Sequence, residues 1–105
     1  MGIKKVFVEE QNFRLQIIAG AVVLILARYL EIKIWELIVL ILLISLVLIL
    51  ELFNSIMERL MDIFKPRLHS YVMDIKDIMA GAVLLAAICS IIIGLIIFIP
   101  YLFRG

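Results

Sequence analysis

The longest uncharged run in the sequence constrains the fold more than any other feature. From Ile78 to Phe103 the chain carries no charged side chain, and about 20 apolar residues suffice for a helix to cross a bilayer. Hydrophobic residues make up 67% of the chain, well above the apolar share of a soluble domain. The run therefore predicts a transmembrane helix, and the composition predicts an integral membrane protein.

Two further apolar runs precede this one and predict two more spans. The first is short, so Arg28 has to snorkel and Tyr29 has to lie in the membrane interface. A short turn around residues 31–33 makes the second span its antiparallel neighbour. We expect one all-α membrane domain over residues 1–105, with a shortened N-terminal surface segment and three transmembrane helices. We place these spans at about residues 15–30, 34–52 and 79–103.

Small residues mark two places at which helices can approach each other closely. Ala19, Gly20 and Ala21 form a small patch in the first span. In the third span, Ala80, Ala87 and Gly94 recur at seven-residue spacing and predict a seam against another helix.

The second span continues in helical register into a charged stretch. Because an α-helix turns by about 100° per residue, Glu51, Asn54, Glu58 and Asp62 share one face of this helix. Carboxylates at the edge of a bilayer are costly unless they pair, meet water or bind metal, which makes them functional candidates. An ordinary solvated face, with Glu58 and Asp62 as a plain acidic pair, is the alternative that spacing alone leaves open. Because Pro66 cannot continue a helix, we expect this one to end near residue 64.

Basic residues predict the orientation. With three spans, the N-terminus and the loop before the third span lie on the same side of the membrane. Lysine and arginine favour the cytoplasmic side, so we expect this side to face the cytoplasm. The side with more basic residues holds Lys4, Lys5, Arg14, Arg59, Lys65, Arg67 and Lys76, and the other holds Arg28, Lys33 and Arg104.

Acids, an amide and a lysine from three separate segments are thus expected at one depth: Glu10, the stripe from Glu51 to Asp62, and Lys76 with Asp77. Carboxylate oxygens suit Mg²⁺, which usually takes one or two of them together with substrate phosphates. A lysine nearby suits a transferring phosphoryl group. The first turn of a helix with a snorkelling lysine is the plainer interpretation of Lys76 and Asp77. The residues alone predict a metal-assisted site at the membrane surface.

Other classes of site find little support in the residues. The five glycines never cluster, so a nucleotide would be held by metal and cations rather than by a glycine-rich loop. One cysteine, Cys89, and one histidine, His69, far apart in the sequence, cannot build a zinc site. Because no basic cluster occurs in the sequence, we expect no nucleic-acid partner.

The string Glu51-x-x-Asn54-Ser-x-x-Glu58-x-x-x-Asp62, followed by Lys76-Asp77-x-x-Ala80-Gly81-Ala82-Val83-Leu84, resembles the signature of the small prokaryotic lipid kinases. This family comprises the bacterial diacylglycerol kinases and the undecaprenol kinases. Glu10-Gln-Asn-Phe13-Arg14 resembles the family's entry to its first span, and the resemblance covers about residues 9–100. It implies a homotrimer of three-span subunits with composite active sites, which transfers the γ-phosphate of ATP to a membrane lipid alcohol with Mg²⁺.

The resemblance also implies roles for single residues. Glu51 matches the general base for the lipid hydroxyl, and partial desolvation at the membrane edge makes a carboxylate a better proton acceptor. The metal ligands would be Glu10 and Glu58. The remaining positions are Lys76, Asp77 and His69 for the nucleotide, and Asn54, Asp62 and Arg14 for the shape of the site.

More than one lipid substrate and more than one function are compatible with the sequence. Residues 80–84 resemble the undecaprenol-kinase branch, so undecaprenol is the expected substrate and diacylglycerol the alternative. Family members usually carry a longer surface helix before the first span, whereas nine residues precede Glu10 here, and a catalytically inactive scaffold is a further hypothesis. A non-catalytic membrane subunit or ion-conducting oligomer is the hypothesis from another class. Against conduction, Glu51 lies at the end of its span, and residues 78–103 contain no acid that could serve a pathway across the bilayer.

Overall fold

Four helices make up the fold of the computed structural model, which describes residues 2–64, 67 and 69–103. Helix α1 spans Gly2–Glu9, α2 spans Gln11–Tyr29, α3 spans Ile34–Phe64 and α4 spans His69–Leu102. No strand occurs in the described ranges, and the all-α prediction is confirmed. Three of these helices, α2, α3 and α4, are long and apolar enough to cross a membrane, as predicted, and α1 is the short N-terminal surface segment.

Helix α3 lies between α2 and α4 and packs against both. Its 31 residues span about 46 Å at 1.5 Å per residue, whereas the hydrocarbon core of a bilayer is about 30 Å thick. One end of α3 therefore has to project beyond that core. Its last two turns carry charged side chains, and α3 ends at Phe64, as the sequence predicts.

Two groups of buried residues hold the bundle together. Ala27, Leu40, Ile97 and Phe98 form a cluster that joins α2, α3 and α4 near the turn between α2 and α3. Near the opposite end of the bundle, Val6, Phe13, Met61 and Val72 are buried. Only 17–22% of each apolar span is buried inside the chain, so most of its apolar surface is left to lipid or to other subunits.

Helices α2 and α3 lie close together at Gly20. A Cβ atom added there would lie 2.8 Å from Cγ2 of Ile44, a separation that real Cβ atoms do not tolerate. The small patch in the first span therefore does bring another helix close, as predicted. By contrast, a Cβ atom on Gly94 would meet no atom of another helix within 4 Å among the described residues, so Gly94 is not a point of close helix packing within one chain.

The turn between α2 and α3 lies where it is predicted and ends α2 with a Schellman motif. The backbone N–H of Glu31 donates to the carbonyl of Arg28, and that of Ile32 donates to the carbonyl of Ala27, the pair of bonds that defines this motif. Glu31 has a φ of 51°, in the left-handed region that costs L-amino acids free energy. Beyond the turn, the buried Glu36 accepts hydrogen bonds from the backbone N–H of Lys33 and from the Tyr101 hydroxyl, which ties the start of α3 to the end of α4.

Helix α4 differs from the sequence-based expectation at its start and agrees with it at its end. It begins at His69, before the charged residues that we expected to open the third segment, so Lys76 and Asp77 lie in its third turn and not in its first. Near its other end α4 continues through Pro100 to Leu102. The plain alternative that treats Lys76 and Asp77 as a helix start is therefore wrong.

Candidate active site at the acidic end of the bundle

One end of the bundle brings together the start of α2, the end of α3 and the first turns of α4. We call it the acidic end, since it carries Glu10, the stripe from Glu51 to Asp62, and Asp77. Its elements are positioned by the antiparallel packing of α4 on α3 and by the contacts of α1 with α2 and α3.

Glu51 is the most deeply placed of these acids. Its residue is only 7% exposed, and Ser55, one turn further along α3, is 3% exposed. The negative charges of Glu10 and Glu58 both act on the Glu51 carboxylate, so the structure brings together three of the predicted acids from two segments. Buried carboxylates that repel each other gain from a proton, a cation or a positively charged ligand.

Asn54 adds an amide to this group. Its Nδ2 donates to Oε1 of Glu58 over 3.4 Å, a long hydrogen bond. Its Oδ1 is buried and has no hydrogen-bond partner among the described residues. Because an unsatisfied buried acceptor costs about 1–3 kcal/mol, the carbonyl oxygen of Asn54 is available to a ligand.

Lys76 of α4 faces α3 at the next turn of the stripe. Its Nζ lies 2.7 Å from Oδ1 of Asp62, which follows Glu58 by one helical turn. The lysine side chain is 23% exposed and the Asp62 side chain 59% exposed, so the pair lies at the rim of the acidic end. Asp77 is exposed beside it.

Two arginines hold the corner between α1 and α2, where Glu10 lies. Arg14 donates from Nη1 to the backbone carbonyl of Val8 over 2.8 Å, and so satisfies a carbonyl at the C-terminal end of α1. Arg59 of α3 lies 2.6 Å from Oε2 of Glu9 and 3.8 Å from Oε1 of Glu10. Arg14 was predicted as a site-shaping residue, whereas Arg59 and Glu9 were not predicted. Two adjacent glutamates before the first span and a single arginine inside the acidic stretch were the available signal.

Comparison with known proteins identifies the family. The family model for prokaryotic diacylglycerol kinase matches residues 1–98. The chain belongs to this family. An undecaprenol kinase of Bacillus subtilis (strain 168) is 39% identical over 93 residues, which are 89% of this chain and 76% of that protein. A diacylglycerol kinase of Synechocystis sp. is 36% identical over 100 residues, 94% of this chain and 57% of that protein.

Membership of this lipid kinase family confirms the resemblance found in the sequence. It makes the acidic end a candidate site for a kinase. The charges of Glu10 and Glu58 act on the buried Glu51, Asn54 donates a hydrogen bond to Glu58, and Lys76 pairs with Asp62 one turn away. The predicted role of His69 lies outside this comparison, because its side chain is not among the described ones. The roles of single residues in catalysis stay predictions.

The donor atoms at the acidic end fit the Mg²⁺ ion that a kinase of this family implies. Over the described ranges, no three His, Cys, Asp or Glu side chains are placed to hold a metal by themselves. A complete protein cage is not what Mg²⁺ needs, since it commonly binds one or two carboxylates together with substrate phosphates. Glu10 and Glu58 would supply carboxylates, and the unpartnered Oδ1 of Asn54 would supply a further oxygen, so these residue types suit a metal that arrives with a nucleotide.

Proposed function

We propose that this lipid kinase transfers the γ-phosphate of ATP to undecaprenol, in the presence of Mg²⁺, at the cytoplasmic face of a bacterial-type inner membrane. The observation that carries the proposal is the position of Glu51: a buried carboxylate at the point where the apolar part of α3 gives way to its charged part. A lipid alcohol has its hydroxyl at this depth while its chain lies among apolar side chains.

An apolar groove of about 370 Å³ supports the placement of the lipid hydroxyl at the depth of Glu51. It lies between α2, α3 and α4, and its lining includes Gln16, Gly20 and Gly94. Val47 and Leu48 also line the groove, and they precede Glu51 by about one helical turn. A lipid chain in this groove would therefore have its polar end within reach of the carboxylate.

Glu51 has the role of the general base in this mechanism. The lipid hydroxyl oxygen attacks the γ-phosphorus of ATP, and the bond between that phosphorus and the β,γ-bridging oxygen breaks. The hydroxyl proton passes to the Glu51 carboxylate, ADP leaves and the lipid phosphate remains in the membrane. General-base catalysis of this kind contributes about 10²–10⁴ in rate.

The other residues bind and orient the nucleotide. We assign the binding of phosphate oxygens to Lys76, which pairs with Asp62 at the rim, with Asp77 beside it. Glu10 and Glu58 would hold Mg²⁺, with Asn54 shaping their arrangement. A bound Mg²⁺ neutralises charge that develops on the phosphates, which is the main requirement of phosphoryl transfer.

Undecaprenol is proposed over diacylglycerol on three grounds. The undecaprenol kinase has the higher identity of the two relatives, 39% against 36%, and residues 80–84 resemble that branch. The groove is lined almost entirely by apolar side chains, which suits a long isoprenoid chain and offers little to an ester carbonyl.

A homotrimer with composite sites is part of the proposal, since the resemblance implies it. Only about a fifth of the residues in each span are buried within one chain, which leaves apolar side chains for neighbouring subunits to contact. The proposed orientation, with the N-terminus and the acidic end in the cytoplasm, rests on the distribution of lysine and arginine.

The deciding experiment measures phosphoryl transfer by the purified protein in nanodiscs with ATP and Mg²⁺. Undecaprenol, diacylglycerol and no lipid are compared, and Glu51→Gln is the test variant. We expect turnover that requires undecaprenol and falls at least about 100-fold in Glu51→Gln, with nucleotide binding retained. Faster turnover of diacylglycerol would overturn the lipid assignment. Ion flux in liposomes without ATP turnover would favour the conducting oligomer, and neither activity would favour a scaffold.

A further inference from the structure

Arg59 connects helix α1 to the acidic end of α3. Its Nη2 lies 2.6 Å from Oε2 of Glu9, the last residue of α1, and 3.8 Å from Oε1 of Glu10. Glu10 is the residue between α1 and α2, and Arg59 directly follows Glu58 on α3. One guanidinium thus joins the two segments that provide the proposed metal ligands.

The corner at Glu10 needs such a connection. Glu10 has an extended backbone, with φ −107° and ψ 109°, and its side chain makes no capping hydrogen bond to α2. Helix α1 has eight residues, too few to be stable without tertiary contacts. Buried Val6 and the hydrogen bond from Arg14 to Val8 fix the body of α1, and Arg59 fixes its last residue to α3.

Arg59 lies closer to Glu9 than to Glu10, and this difference leaves Glu10 able to bind a ligand. At 2.6 Å the pair with Glu9 is a close charge-assisted contact, whereas the 3.8 Å separation from Glu10 is beyond hydrogen-bond length. Arg59 is therefore anchored by Glu9 and leaves the oxygens of Glu10 available. Its positive charge also offsets repulsion among the acids, of which Glu10 and Glu58 both act on Glu51.

We propose that Arg59 is a positioning residue, whose ion pair with Glu9 fixes the corner between α1 and α2 and so holds the Glu10 carboxylate where it can bind a metal-nucleotide complex. The inference rests on the proposed role of Glu10. Both side chains of the pair are close to half exposed, and exposed ion pairs contribute little to stability. Loss of the pair should therefore change metal affinity and leave the fold intact.

A double-mutant cycle tests this inference by direct binding. The probe is Mn²⁺ in the presence of a non-hydrolysable ATP analogue, titrated by electron paramagnetic resonance. We expect Glu9→Gln and Arg59→Gln each to weaken Mn²⁺ binding about tenfold, the usual minimum for a group that orients a metal ligand. The double variant should be no weaker than either single one, because both remove the same interaction. The charge swap, Glu9→Arg with Arg59→Glu, should restore part of the affinity.

A second readout separates positioning from direct phosphate binding. A spin label is placed on α1 at Lys4→Cys in a Cys89→Ala background, and Arg28→Gln at the opposite end of the bundle is the matched control. We expect the label to become more mobile in Glu9→Gln and in Arg59→Gln, and to stay unchanged in the control.

Each of the following outcomes would overturn the proposal. If Arg59→Gln weakens binding while Glu9→Gln does not, Arg59 contacts the nucleotide itself. If the label becomes mobile but Mn²⁺ affinity is unchanged, the ion pair is only structural. If the unaltered protein binds no Mn²⁺ with the nucleotide, both the proposed metal site and this inference are wrong. If the variants bind Mn²⁺ as well as the unaltered protein does, only this inference is wrong.

Discussion

Asn54 is a residue at which stability and function are opposed. Its buried Oδ1 has no partner among the described residues, and its Nδ2 makes one long hydrogen bond to Glu58. A polar group kept in this state lowers the stability of the protein without ligand. Such a residue is expected where a ligand completes the hydrogen bonding, which suits the site-shaping role assigned to Asn54.

The substitution Asn54→Leu separates the two effects. Leucine has a similar size and no polar atoms, and replacing an unsatisfied group by an apolar one of the same shape is close to neutral or stabilising. We expect the free energy of unfolding, measured by thermal unfolding in detergent, to stay the same or to rise by about 1 kcal/mol. Lipid kinase activity should fall at least tenfold.

The control for this variant is Asn12→Leu, which alters an exposed asparagine on α2 and should change neither quantity. A marked loss of stability in Asn54→Leu would mean that Oδ1 has a partner in the assembled protein.

Side chains of the stripe were predictable because they share one helical face. Glu51, Asn54 and Glu58 lie on a single helix, so the period of 3.6 residues places them together. Arg59 and Glu9 lie 50 positions apart in the sequence and follow no period. Their contact depends on how α1 returns over the end of α3, which local patterns do not encode.

At the scale of the elements, the turn from α2 to α3 holds a residue in an unfavourable backbone conformation. Glu31 has a φ of 51° at the position of the Schellman motif that glycine usually occupies. We expect Glu31→Gly to raise the free energy of unfolding by up to about 1 kcal/mol, because glycine adopts this conformation without steric cost. Chemical denaturation in mixed micelles would measure the change.

Glu31→Ala is the matched control, since it removes the same charge and keeps the Cβ atom. A gain in Glu31→Ala equal to that in Glu31→Gly would trace the effect to the carboxylate rather than to the backbone.

The contact between α2 and α3 at Gly20 gives a second prediction at this scale. Since an added Cβ would lie 2.8 Å from Ile44, we expect Gly20→Ala to lower the free energy of unfolding by about 1–3 kcal/mol. Ile44→Ala removes the obstructing atoms. In the double variant, the cost of Gly20→Ala should largely disappear, a coupling that a double-mutant cycle measures.

Ala21→Leu is the control for overpacking, because Ala21 is exposed on the same helix. If the costs of Gly20→Ala and Ile44→Ala simply add, then the two helices do not meet at this point.

The first and last residues of the helices were predictable only where the sequence carries a signal. Pro66 marks the end of α3, which stops at Phe64 as predicted. No comparable signal marks the start of α4, so its first turns at His69 were missed. The three apolar spans were the most predictable elements, because their length and composition leave a membrane helix as the natural structure.

At the scale of the whole molecule, burial within one chain does not account for the apolar surface. Only about one fifth of each span is buried, and large side chains such as Ile25, Ile34 and Ile96 are exposed. Lipid can cover such a surface without cost, and neighbouring helices can do so where small residues permit close packing. A single sequence predicts that this surface meets an apolar environment, but it does not specify how much of it meets protein.

The orientation in the membrane yields the last prediction. The acidic end and the turn from α2 to α3 lie at opposite ends of the bundle, and the acidic end carries most of the basic residues. We expect it to face the cytoplasm, since translocating lysine and arginine is disfavoured. Single cysteines at Lys5→Cys and Lys33→Cys, in a Cys89→Ala background, would report the two ends. In intact cells of an expressing bacterium, a membrane-impermeant maleimide should label the cysteine at position 33 and leave the one at position 5 unlabelled until the cells are permeabilised. Labelling of position 5 alone would reverse the orientation and place the acidic end away from cytoplasmic ATP, which would remove the proposed phosphoryl donor.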